Sequence, residues 1–214
     1  MTNPTRALVL VDIQQEYFSG PLEIQYPAPT DSVQKIAAVI DAATAASVPV
    51  VAVQHTAGDE APIFNPTTPG FALHPDIEQR RTPEWKMITK QFGSVFAGTD
   101  LLAWLQEHAI ETITLVGYMT NNCIITSAAE AETHGIAAEV LSDATGAISI
   151  SNDAGHVDAK TVHTTLMAVL NSNFAAVGPT EAWMTALRLG QALPKDNLLS
   201  SAMSGAQHFQ GVTA

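Results

Sequence analysis

The chain has 214 residues, of which 46% are apolar and 14% charged, with one cysteine and a formal net charge of −12. Such a length and balance suit one α/β domain with a full core, and no apolar run approaches the ~18 residues that a membrane span requires. The acidic balance argues against a nucleic-acid partner, whose recognition needs clustered Lys and Arg; a lone cysteine leaves no internal disulfide, as expected in a reducing cytosol.

The first residues, "MTNPTRALVLVDI", hold one early Arg and pass straight into a strand. With no apolar segment followed by a small-residue cleavage site, they predict a cytoplasmic protein without a signal peptide. "ALVLVDI" (7–13) is a near-continuous β-rich apolar run, as in a strand buried on both faces. A loop over 19–30 with Pro21, Pro27 and Pro29 follows. Next comes a helix over 31–47, capped by Asp31 and closed before Pro49, with Val33, Ile36, Ala37, Ile40 and Ala43 on one face. "VPVVAVQH" (48–55) is a second strand, and the loop after it, 56–84, carries five prolines. "WKMITK" (85–90) is a weaker third strand; a helix over 99–108 lies behind Thr99, and "TITLVGYM" (112–119) is the fourth strand.

A helix over 122–134 ends at Gly135, a natural residue just past a helix end. "AAEVLS" (137–142) and "NFAAVG" (173–178) are the last strands, with helices over 158–171 and 180–189. Residues 1–190 form the predicted domain, and 191–214, with little periodicity, form a frayed tail or an arm laid on a neighbouring subunit. Strands alternating with helices imply right-handed crossovers and a parallel sheet with helices on both faces. The two long loops leave carboxyl ends of strands, where such sheets bind ligands beside the point of strand-order reversal, so both are expected to wall a pocket.

Three residues at strand exits suit chemistry. Asp12 ends the first strand, Lys90 the third, and Cys123 lies just past the fourth. Singly, each has a plain alternative: a turn cap, a solvated charge, a small buried hydrophobe. Together they place an acid, a base and a thiol along one sheet edge. The chemistry they suit is nucleophilic attack on an acyl carbon. A helix N-terminus and an ammonium favour the thiolate, Asp12 can shuttle the proton, and Lys90 can hold Asp12 in place.

The segments "ALVLVDIQQEYF", "ITKQFGSVFAGTDLLAWL", "TLVGYMTNNCIITSAAEAETHGI" and "EVLSDATGA", in this order over residues 7–147, resemble the isochorismatase-like cysteine hydrolases. That family includes nicotinamidases and N-carbamoylsarcosine amidohydrolase. The resemblance implies a Rossmann-like, three-layer α/β/α sandwich with a six-stranded parallel sheet. It carries an Asp–Lys–Cys triad onto Asp12, Lys90 and Cys123. It also implies a cis peptide between Tyr118 and Met119, and an oxyanion hole from the backbone N–H groups of Met119 and Cys123.

Metal-binding nicotinamidases carry an Asp two residues before the strand-end His, and a later His. Here His55 and His74 are present, but the acid's position is Val53. The stretch "TTPGFALHPDIE" resembles the metal-free branch of the family, and no metal or cofactor is assigned. Phe18, His55, Phe64 and Tyr118 are the expected substrate contacts. The predicted activity is hydrolysis of a small amide-type C–N bond through a thioester. The alternatives are vinyl-ether hydrolysis on the same fold, or a family member without turnover. The expected partners are a small-molecule substrate and further copies of the chain, as a dimer or tetramer.

Overall fold

A computed structural model describes residues 4–210; residues 1–3 of the N-terminal segment and 211–214 of the tail lie outside them. In chain order the elements are β1 (Arg6–Val11), α1 (Pro29–Ala45), β2 (Val50–His55), α2 (Pro75–Glu78), β3 (Lys86–Lys90), α3 (Leu101–Glu107), β4 (Thr112–Tyr118) and α4 (Ile125–Thr133). They continue with β5 (Ala137–Gly146), β6 (Ile150–Asn152), β7 (Gly155–Val157), α5 (Ala159–Val169), β8 (Ala176–Gly178), α6 (Thr180–Leu189) and α7 (Leu198–Phe209). Six strands form the expected all-parallel sheet, its order β3-β2-β1-β4-β5-β8, and β6 and β7 form a separate antiparallel hairpin. The order reverses between β1 and β4, and that is where a doubly wound sheet opens a crevice.

The strand sequences explain the two layers. Alternate side chains of a strand point to opposite faces. Leu8 and Leu10 of β1 pack with Ile36, Ile40 and Trp183, the side of α1 and α6. Ala7, Val9 and Val11 pack with Leu101, Leu105, Ile124, Ala128 and Met167, the side of α3, α4 and α5. Both faces of β1 and β4 are thus buried, which is why β1 is apolar throughout after Arg6, and why Thr114, on the strand that opens Thr-Ile-Thr, is hydrogen-bonded in the core.

Several boundaries differ from expectation; β5, for one, runs on to Gly146, past its expected end at residue 142. α1 begins at Pro29, a residue preorganised for a first helical position, so Asp31 falls inside the first turn instead of capping it. A five-residue π-helical turn, Thr120–Ile124, precedes α4. The segment beyond Gly190, read as aperiodic, is ordered. Leu193 is buried in the core, and its N–H donates to Glu139 Oε1 at 3.0 Å. A helix then runs from Leu198 to Phe209, capped by the Asn197 side chain, which accepts from Ser200 N–H. No residue of α7 is buried, and Leu198, Leu199, Met203 and Phe209 are exposed. Among the described residues no helix is long and apolar enough to cross a membrane.

Candidate active site

β1 stops at Val11, and Asp12 turns the chain with φ at 50°, a left-handed conformation that Asp tolerates better than most residues. Its N–H donates to the Val53 carbonyl at 2.9 Å, which ties the turn to β2. Gln14 fixes the next strand end: its Oε1 accepts from His55 N–H at 2.7 Å, and its Nε2 donates to the His55 and Phe71 carbonyls at 3.1 and 3.0 Å. β4 ends at Gly117 and Tyr118, and the Tyr118–Met119 peptide is cis. The Met119 carbonyl then accepts from the N–H groups of Asn122 and Ile124, closing the turn that presents Cys123.

Lys90 arrives from farthest away. β3 is the edge strand, and β2 stands between it and β1. Two strand spacings are roughly 10 Å, so only a long side chain can carry a charge from β3 to the end of β1. Lys90 is fully buried, and its Nζ reaches Asp12 Oδ2 at 2.7 Å. It also donates to the Phe92 carbonyl at 3.1 Å, and lies 3.2 Å from His55 Nδ1 and 3.3 Å from Cys123 Sγ. The three residues singled out at separate strand ends therefore meet around one ammonium.

The electrostatics differ from the sequence expectation of a ready thiolate. Burial and the Asp12 charge push the Cys123 thiol up to about 12, against the lowering effect of Lys90. Burial likewise raises Asp12, opposed by Lys90 and by a hydrogen bond with Cys123. Removing a charged sulfur from water is unfavourable, and here the Lys90 ammonium is already paired with a carboxylate. Burial therefore favours an Asp12–Lys90 ion pair beside a protonated thiol. Apart from Lys90 and the thiol, the Asp12 carboxylate has no hydrogen-bond partner among the described residues, which leaves it able to take the thiol proton.

Cys123 lies on a cavity of about 310 Å3, lined also by Tyr17, Leu22, His55, Ala57, Ile63, Phe64, Met119 and Asn122. Both long loops supply walls, Leu22 from the first and Ala57, Ile63 and Phe64 from the second. Of the four expected substrate contacts, His55 and Phe64 line this cavity, 5.0 Å apart ring to ring. Tyr118 does not: it is fully buried, its hydroxyl is 2.7 Å from Ser32 Oγ, and its ring backs Tyr17 and Phe18. Phe18 stacks on His74 at 4.2 Å and stands behind the wall as well. Alternation along β4 sends Tyr118 into the α1 layer, which its position next to the turn did not reveal.

Tyr17 and Asn122 reach the cavity without having been singled out. Tyr17 sits in a single 3-10 turn, Gln15–Tyr17, whose three residues carry no periodicity to read. His55 is held neutral: burial first, then Lys90, lower its pKa to about 4, with the Phe92 carbonyl opposing. His74 accepts a hydrogen bond from Asp76 N–H through Nδ1 and faces Phe18. Asp76, whose N–H occupies His74 Nδ1, is the acid near that ring, His55 faces the Lys90 ammonium, and no three His, Cys, Asp or Glu among the described residues group as metal ligands. The residues present do not fit the metal centre of nicotinamidases.

A doubly wound parallel sheet with polar groups gathered at its switch point is a class of fold shared by many small-molecule enzymes. The family follows from comparison. Residues 6–182 match the isochorismatase domain family, and the chain belongs to the isochorismatase-like hydrolases. An isochorismatase family protein of uncharacterised function from Bacillus subtilis, YddQ, is 32% identical over 182 residues, covering 84% of this chain and 99% of the relative. A solved structure from Burkholderia xenovorans, provisionally described as an isochorismatase, superimposes with a TM-score of 0.93 at 40% identity, covering 97% of this chain and 99% of the other. A nicotinamidase/pyrazinamidase of Mycobacterium tuberculosis is 30% identical over 89 residues, 38% of this chain and 48% of its own.

Proposed function

We propose that this protein is a metal-free cysteine amidohydrolase acting on a small amide-type C–N bond. The observation that carries the reading is one ammonium, Lys90 Nζ, lying 2.7 Å from Asp12 Oδ2 and 3.3 Å from the Cys123 sulfur at the wall of a cavity. The carboxylate takes the thiol proton as Sγ attacks the carbonyl carbon, so the thiolate exists only in the course of attack. The backbone N–H groups of Met119 and Cys123 receive the oxyanion. On collapse the C–N bond breaks, and Asp12 returns the proton to the departing nitrogen, leaving a thioester on Cys123. Water then attacks, its proton passes to Asp12, and the C–S bond breaks with the thiol reprotonated and the acid released. Lys90 keeps Asp12 oriented and offsets negative charge in both halves.

Cavity size and lining set the substrate range. About 310 Å3 walled by Leu22, Ala57, Ile63 and Phe64, with polar groups only from Tyr17, His55 and Asn122, suits a small and largely apolar acyl group. The test is ammonia release from a panel of small amides, ureides and carbamoyl compounds by the wild type, Cys123→Ala and Cys123→Ser, with intact-mass detection of the acyl-enzyme. Release that disappears in both variants, with a substrate-sized mass on Cys123 in the wild type, is expected. Turnover of a vinyl ether that survives Cys123→Ala, with no amide cleaved, would replace this reading by the other chemistry considered for the fold.

A further inference from the structure

Lys90 has three ammonium protons and four acceptors within reach. These are Asp12 Oδ2 at 2.7 Å, the Phe92 carbonyl at 3.1 Å, His55 Nδ1 at 3.2 Å and Cys123 Sγ at 3.3 Å. One acceptor always goes without. The carboxylate carries a full charge at the shortest distance, and the Phe92 carbonyl is main chain two residues along. The remaining contest is between the imidazole and the sulfur.

An ammonium can only donate, so the ring nitrogen facing it is the one with the lone pair, and the proton of the neutral ring sits on Nε2. A thiol sulfur is a weak acceptor, so the imidazole holds the third proton at rest. A thiolate is a charged acceptor and outcompetes it. The contact is built into the sheet. His55 and Lys90 are partners in the β2–β3 register, and the Lys90 side chain passes His55 on its way from the edge strand to Asp12.

We propose that His55 is a positioning residue for the nucleophile: it holds the third Lys90 proton in the resting site and yields it to Sγ as the sulfur becomes anionic. His55 thereby opposes premature ionisation of Cys123 and keeps the proton within reach of the charge that develops. The other titratable groups facing the thiol are Asp12, Lys90 and Tyr17; burial keeps the Tyr17 hydroxyl protonated well beyond its ordinary range. The inference rests on the amidohydrolase reading only for its part in turnover, because proton sharing around the sulfur is measurable without a substrate.

The experiment is the pH dependence of iodoacetamide labelling at Cys123 in the full chain, compared with His55→Phe and His55→Asn. The Asn amide oxygen takes the place of Nδ1 as acceptor, whereas Phe keeps the ring and removes it. His55→Phe is expected to lower the thiol midpoint by about one pH unit, the size of one charge-assisted hydrogen bond. Below the midpoint that is about tenfold faster labelling, and His55→Asn should return the wild-type profile. Equal shifts in both variants, or no shift in either, overturn the proposal, since the ring nitrogen would then not be sharing the Lys90 proton. If circular dichroism shows His55→Phe unfolded, His55→Leu serves as the variant without an acceptor. A clean labelling shift in a protein that cleaves no amide would sink the amidase reading alone and leave this one standing.

Discussion

At Cys123 two influences oppose each other: Lys90 favours the thiolate, while burial and the Asp12 carboxylate favour the thiol and prevail. The sign makes a prediction that separates ionisation from catalysis. Asp12→Asn removes the nearby negative charge, so the thiol pKa falls and iodoacetamide labelling near neutral pH accelerates. The same change removes the proton shuttle, so amide turnover falls by ~10²–10⁴-fold. Asn also tolerates the left-handed conformation of position 12, but buried Lys90 loses its counter-charge, so a circular dichroism spectrum accompanies both measurements. Faster labelling with near-normal turnover would show that Asp12 is not the base.

The elements around the site are joined by close approaches that few substitutions survive. Gly117, in β4 just before the turn, has φ at 110°, and a β-carbon there would lie 2.1 Å from the Val11 carbonyl oxygen. β1 and β4 come this near at the switch point because Asp12 and Cys123 must share one crevice. Gly117→Ala is therefore expected to cost about 1–3 kcal/mol or more of stability from backbone strain alone, read as a lower urea midpoint, and to lower activity by spreading the two strand ends. On the far side of the nucleophile turn, buried His163 bridges Thr120 Oγ1 and the Ser142 carbonyl, each at 3.0 Å, tying α5 and β5 to the π-helical turn. The "SDATGA" stretch has an equally local purpose: Asp143 Oδ1 accepts from both the N–H and the hydroxyl of Thr180 at 2.7 Å, fixing the start of α6.

At the scale of the molecule, the sheet edge opposite the site is held by one buried network. Glu139 accepts from Arg6 through both oxygens at 2.9 Å, and from Thr114, Trp183 and the Leu193 N–H. Arg6 also donates to the Gln191 carbonyl. These contacts join β1, β4, β5 and α6 to the segment leading to α7. Glu139→Ala leaves a buried guanidinium without its counter-charge, and such losses cost about 3–5 kcal/mol. The expected result is a large drop in the urea unfolding midpoint, together with earlier proteolytic cleavage after Gly190. A midpoint within error of the wild type would mean that the ion pair is offset by its own desolvation.

The sequence by itself determined the sheet, because buried parallel strands must be continuous apolar runs and the helices between them must carry one apolar face. It also marked Asp12, Lys90 and Cys123, because a polar residue at the exit of such a strand is conspicuous. Only the tertiary structure decided that Lys90 spans β2 to reach Asp12, that Tyr118 turns into the core while Tyr17 faces the cavity, and that burial and Asp12 push the thiol pKa up rather than down. Those outcomes depend on which face a side chain takes and on how many charges share one dry volume, and neither quantity is local in the chain. The same holds for α7: the stretch beyond Gly190 shows little periodicity, and the helix follows a segment anchored to Arg6 and Glu139, residues more than fifty positions away.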